Sequence, residues 1–154
     1  MRVASCTGHE HKPARAGTYF ASWSGDPAKP AAYRQLREQH GYLITSTWID
    51  RFGSKDADHG ADMWVMSELW QRLEREISHS ERLVIDLAGE EITRYGVFIE
   101  VHMAASAGVD VYIVLNGIEV DPVRYPVMER WLERPLVKFV PDMISALAGA
   151  EKVN

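Results

Sequence analysis

This chain has little cysteine, no long apolar run and no excess of positive charge, and each shortage excludes a class of protein. One of its 154 residues is cysteine, Cys6, so no internal disulfide can form. That usage fits a reducing compartment, and the cytoplasm is the expected location. No apolar run reaches the roughly 20 residues of a membrane span. The polar stretch 1–16 also lacks the apolar centre of a secretory signal, so no membrane partner is expected. Lys and Arg number 17 against 22 Asp and Glu, for a net charge of −5. No basic stripe with interleaved aromatics offsets this, which argues against nucleic acid but leaves free nucleosides or nucleotides open as ligands. The G-x-G-x-x-G fingerprint, the G-x-x-x-x-G-K-[ST] phosphate loop and the Gly-x-Ser-x-Gly elbow are all missing. Cys6, His9 and His11 are too sparse a set for a structural metal site, so no metal is expected.

What is present is the composition of one ordinary domain. With 46% hydrophobic and 25% charged residues, the chain can bury a core without staples. The first 16 residues are expected to be flexible, and a single domain is expected over 17–150. Short apolar, β-branched runs predict five strands at 18–23, 42–48, 83–87, 111–115 and 136–140. Helices are expected at 30–40, 62–78, 96–108, 127–132 and 143–148. Strands alternating with helices predict an α/β fold, an open parallel sheet with helices on both faces. Ligands of such sheets bind beyond the carboxyl ends of the strands.

Glu100 stands out against that pattern. Val97, Val101 and Ala104 lie at i−3, i+1 and i+4 from it and share its helix face. An acid on a core face must be hydrogen-bonded, paired or neutral. It is a candidate nucleophile toward an anomeric carbon. It also reads as a helix-start glutamate favoured by the dipole, or one paired with Arg94. Asp86, near the end of the third strand, is a second acid, suited to a sugar hydroxyl or to proton transfer, or to capping the following loop. Gly96 opens the helix whose N-terminus can hold an anionic group. Tyr19, Trp23 and Trp48 gather near strand ends, where a flat heterocycle would fit. Met63, Trp64, Met66 and Trp70 exceed what a one-sided apolar stripe needs; the surplus is either a subunit interface or a well-buried helix.

Five stretches carry a resemblance. Thr18-Tyr19-Phe20-Ala21-Ser22 resembles the opening strand of the nucleoside 2-deoxyribosyltransferase family, and Tyr42-Leu43-Ile44-Thr45-Ser46-Thr47-Trp48 the second strand of its short bacterial and phage members. Glu81-Arg82-Leu83-Val84-Ile85-Asp86, Thr93-Arg94-Tyr95-Gly96-Val97-Phe98-Ile99-Glu100 and Ala104-Ala105-Ser106-Ala107-Gly108 look like its strand, Gly-x-x-x-Glu loop and following helix. The likeness covers roughly 17–116. It implies a Rossmann-like or flavodoxin-like domain, a homodimer or larger homo-oligomer, and cleavage or transfer at the N-glycosidic bond of a nucleoside or nucleotide without a cofactor. Glu100 would be the nucleophile, with Asp86 and Glu74 as the other catalytic acids. Tyr19, Ser22, Trp48, Gly96 and Asn116 would bind substrate. The alternative is a non-catalytic nucleotide-binding or sensing module on the same fold. There are departures. The family's helix aspartate would fall near Leu73, and the nearby acids Glu74 and Glu76 are out of register by one and three residues. Tyr95 is bulkier than the family's small residue there.

Overall fold

The computed structural model describes residues 14–21, 28–51, 63–87 and 95–153. Four parallel strands form one sheet in the order β1 (Thr18–Ala21), β2 (Arg82–Asp86), β3 (Asp110–Val114) and β4 (Val137–Val140). Tyr19 pairs with Leu83, Leu83 with Val111, and Val111 with Val137, so one register runs across the sheet. Among the described residues there are five α-helices: α1 (Ala28–His40), α2 (Met63–Ser78), α3 (Tyr95–Ser106), α4 (Pro126–Leu132) and α5 (Met143–Ala146).

The period-two alternation of the strands sorts them into two cores. Tyr19, Ala21, Leu83, Ile85, Val111 and Ile113 face one side, where they meet Leu73 and Ile77 of α2, Val101 and Ala104 of α3, and Met128 and Trp131 of α4. Phe20, Val84 and Val114 face the other side and meet Tyr33 of α1 and Ala146 and Leu147 at the end of α5. Helices therefore cover both faces, as parallel strands buried on both sides require. Among the described residues no helix is long and apolar enough to cross a membrane.

Among the described residues the five-strand expectation is corrected to four. The segment 42–48 does lie beside β1: the Thr18 amide donates to the Leu43 carbonyl (2.9 Å) and the Thr45 amide to the Thr18 carbonyl (2.9 Å). Beyond that one parallel bridge, Thr18 to Ile44, the ladder stops. At the next outward-facing position, Phe20, side chains take over from backbone. The Phe20 amide donates to Ser46 Oγ (3.1 Å), and Trp48 Nε1 donates to the Phe20 carbonyl (2.7 Å). Both polar groups of Phe20 are satisfied, and the chain is free to turn into a 3₁₀ helix at Thr47–Asp50. On the outer side of the same segment, the Leu43 amide donates to the Glu151 carbonyl (3.0 Å) and the Val153 amide to the Gly41 carbonyl (2.7 Å), which covers the remaining edge.

The other end of the described chain is also tied down. Arg15 donates to the carbonyls of Ala107 and Gly108 just past α3, and the Ala16 amide donates to the His79 carbonyl (3.0 Å). The expected flexible segment otherwise falls at 1–13, outside the described residues.

Candidate functional site

Three polar groups from three elements converge on the α2–α3 side of the sheet. The first is Tyr19, the second residue of β1. It is wholly buried, and its hydroxyl makes no hydrogen bond to the protein. Burial pushes the phenol well above its usual ionisation range. The negative charges of Glu100 and Glu76 push it further, and Arg72 opposes them. Both carboxylates thus lie close enough to be felt at the Tyr19 ring.

Glu100 is the second. It sits midway along α3 beside Val101 and Ala104, both buried, and its own Oε2 is buried as well. The apolar face inferred from the spacing is the face α3 turns to the sheet. Phe98 and Ile99, on the same helix, are 42% and 37% exposed. Gly96 is the second residue of α3, so the helix begins ahead of it.

The third is Glu76, on α2. Leu73 and Ile77 are buried, and Glu76 lies three residues after one and one before the other, on the inward side of the helix. Its Oε1 accepts the backbone amide of Thr47 (2.8 Å), and its Oε2 is buried with no partner in the protein. Glu74 points the other way and is exposed. The acid that shares Tyr19's surroundings is therefore Glu76. The helical spacing from Leu73 and Ile77 is the signal that marks it, whereas counting from the family's aspartate position favours Glu74.

Asp86 is not part of this cluster. Strand alternation puts it on the Val84 side, where it helps line an open cavity of about 290 Å³ with Tyr33, Leu36 and His40 of α1 and Met143 of α5. Asn116 Nδ2 donates to Asp86 Oδ1, and Lys29 Nζ donates to the Asp86 carbonyl (2.7 Å). Asn116 and Gly117 both have positive φ, 48° and 84°, and the Ile118 amide closes the turn on the Leu115 carbonyl (2.9 Å). This is a type I′ geometry, which asparagine tolerates and glycine favours. Asp86 and Asn116 thus form a pair at the carboxyl end of β2 and β3, across the sheet from Glu100.

Trp48 is half-buried at the open edge of β1 and packs against both cores. Its indole meets Tyr33 edge-on (6.1 Å, 88°), and Tyr33 stacks on Phe20 (4.2 Å, 9°). The Trp48 N–H is given to the Phe20 carbonyl, so the indole nitrogen is taken by the framework. Ser22 and Trp23 lie outside the described residues, as do Cys6, His9 and His11. Among the described residues no group of three or more His, Cys, Asp or Glu is arranged to hold a metal ion.

No family model, curated protein or solved structure matches the chain.

Proposed function

We propose that this protein cleaves or transfers at the N-glycosidic bond of a nucleoside or nucleotide, with Glu100 as the nucleophile. The observation that carries the reading is that Tyr19, Glu100 and Glu76, from β1, α3 and α2, each bury a side-chain oxygen on the α2–α3 side of the sheet. Polar atoms are retained there without protein partners, Tyr19 Oη and Glu76 Oε2. Buried polar groups left unpaired are costly, and such cost is characteristic of sites built for a ligand. The resemblance in 17–116 supplies the reaction class. The α/β frame with helices on both faces supports a Rossmann-like or flavodoxin-like domain in which the segment 42–48 takes the place of a fifth strand.

In this reading a Glu100 oxygen attacks the anomeric carbon as the carbon–nitrogen bond breaks. The electron pair of that bond leaves with the base nitrogen, which takes a proton from Glu76. The glycosyl ester on Glu100 is then opened by a second base or by water. Tyr19 holds a neutral hydroxyl beside the nucleophile. Asp86 and Asn116 act from the far side of the strand ends, on sugar hydroxyls that reach past β2. The exposed Phe98 and Ile99 on an apolar α3 support a homo-oligomer. The single cysteine supports a cytoplasmic setting.

The test is incubation with a panel of nucleosides and nucleoside monophosphates, with free base read by chromatography. Release that Glu100→Gln abolishes supports the enzyme. Tight binding without release across the panel supports the binding-module alternative and overturns the enzyme.

A further inference from the structure

Glu76 is held by a group that is not a side chain. Its Oε1 accepts the amide of Thr47 at 2.8 Å, the first residue of the Thr47–Asp50 turn of 3₁₀ helix. That amide is where it is because the edge segment abandons the ladder at Phe20: Ser46 Oγ takes the Phe20 amide, and Trp48 takes its carbonyl. The residue between the two clasping side chains is Thr47, and its N–H is left facing α2.

We propose that the Thr47 backbone amide is the positioning group of this site: it occupies Oε1 of Glu76 so that Oε2 is the oxygen left to exchange a proton with the leaving base, with Ser46 and Trp48 holding the amide in place. This rests on the glycosidic reading above and goes beyond it, because it assigns a role to a segment outside the helices that carry the acids. The chemistry is direct. An oxygen that accepts an N–H is the poorer place for the carboxyl's own proton, so the proton sits on the other oxygen. In Glu76 that other oxygen is the buried one.

Thr47 is exposed, so its side chain can be changed without opening the core. Thr47→Ala keeps the amide and reports the effect of losing the side chain alone. Thr47→Pro replaces the donor hydrogen with the ring Cδ, so the Glu76 Oε1 bond is lost. Ser46 has φ −78° and ψ 102°, an extended conformation compatible with a following proline, and the first position of a helix accepts proline well.

The expected result for Thr47→Pro is about a tenfold loss in turnover of an ordinary nucleoside with little change in KM, the scale of one hydrogen bond. Turnover should be restored on a 7-methylguanine nucleoside, whose cationic base leaves without a proton. In a Glu76→Gln background Thr47→Pro should cost nothing further, because the amide acts through Glu76. Equal losses with both leaving groups, or additive losses in the double variant, overturn the proposal.

A second measurement needs neither activity nor proline. The Thr47 amide proton of the full chain should move upfield by NMR on Glu76→Ala; a resonance that stays in place overturns the proposal whatever the turnover. Failure of the wild type to release base from any nucleoside, with the resonance moving as expected, overturns the glycosidic reading and the proton-donor role with it.

Discussion

Replacing Tyr19 by phenylalanine should make this protein more stable and less active. The ring is wholly buried, and its hydroxyl has no hydrogen-bond partner in the protein. A hydroxyl buried without a partner costs about 1–3 kcal/mol in proteins. Phenylalanine keeps the ring and its packing against the α2–α3 core and removes only the oxygen. At pH 7 the gain should be about 1 kcal/mol, which in a chain of this length raises Tm by about 2–4 °C. Turnover should drop about tenfold, the scale of one lost polar contact.

The pH dependence separates this from a packing effect. The folded phenol is held above its ordinary value of 10.0 by burial first, then by Glu100 and Glu76. A raised folded value means the folded state keeps a proton that the unfolded state gives up. The contribution is therefore fully present below pH 10.0 and is lost as pH rises from there toward the raised folded value. Within that window wild type should lose up to about 1.4 kcal/mol per pH unit from this one group. Tyr19→Phe should lose none from it, so the gap between the two proteins widens with pH. Urea unfolding from pH 7 to pH 11 reads both effects. A variant less stable than wild type at pH 7, or a gap that stays constant above pH 10, would refute the view of Tyr19 as an unsatisfied buried phenol.

Three further outcomes follow from contacts away from Tyr19. Arg82 is 6% exposed and donates to the carbonyls of Ala146, the last residue of α5, and Ala148 (both 3.0 Å), with its guanidinium 5.2 Å from the Tyr112 ring centroid. Arg82→Met should cost about 2–3 kcal/mol by leaving those carbonyls unpaired, seen as a lower urea midpoint; an unchanged midpoint would show that α5 is held by packing alone. Asn116→Gly keeps the left-handed turn and breaks the link to Asp86, whereas Asn116→Val also strains a position at φ 48°. Valine should therefore be less stable than glycine by about 1–2 kcal/mol in thermal unfolding, and equal stability would argue that the turn relaxes. Finally, Phe98→Asp should convert the expected oligomer to monomer by sedimentation velocity, and a wild type that already sediments as a monomer would remove the basis for α3 as an interface.

Much of the architecture can be read from the residues because it rests on local periodicity. Val84 and Val114 alternate with Leu83 and Ile113 by the pleat, so the two cores separate without tertiary information. Glu100 beside Val101 and Ala104 can be read for the same reason, since helical spacing alone puts an acid on the core face. Two features could not be read this way. The run 42–48 has the composition of a strand, but whether a strand forms depends on its partner. At Phe20 the partner's amide and carbonyl are taken by the Ser46 hydroxyl and the Trp48 indole, a long-range exchange that propensity does not encode. Asp86 reads as a neighbour of Glu100 because both sit at strand-end junctions, yet one step of alternation sends it across the sheet.

Glu76 lies between these cases, and it shows which kind of inference carries further. Counting along the chain from a resembling motif selects the acid nearest in sequence, Glu74, because a linear register treats the helix as a line. The helix is a cylinder, and the faces at i+3 and i+4 from Leu73 belong to Glu76 and Ile77. Leu73 and Ile77 are buried, Glu74 is exposed, and Glu76 meets Thr47. An acid displaced by three residues returns to nearly the same face, one turn along, whereas an acid displaced by one turns away by about 100°. The same geometry that marks Glu100 as unusual therefore places Glu76, not Glu74, on the inward face of α2, from the spacing of Leu73 and Ile77 alone.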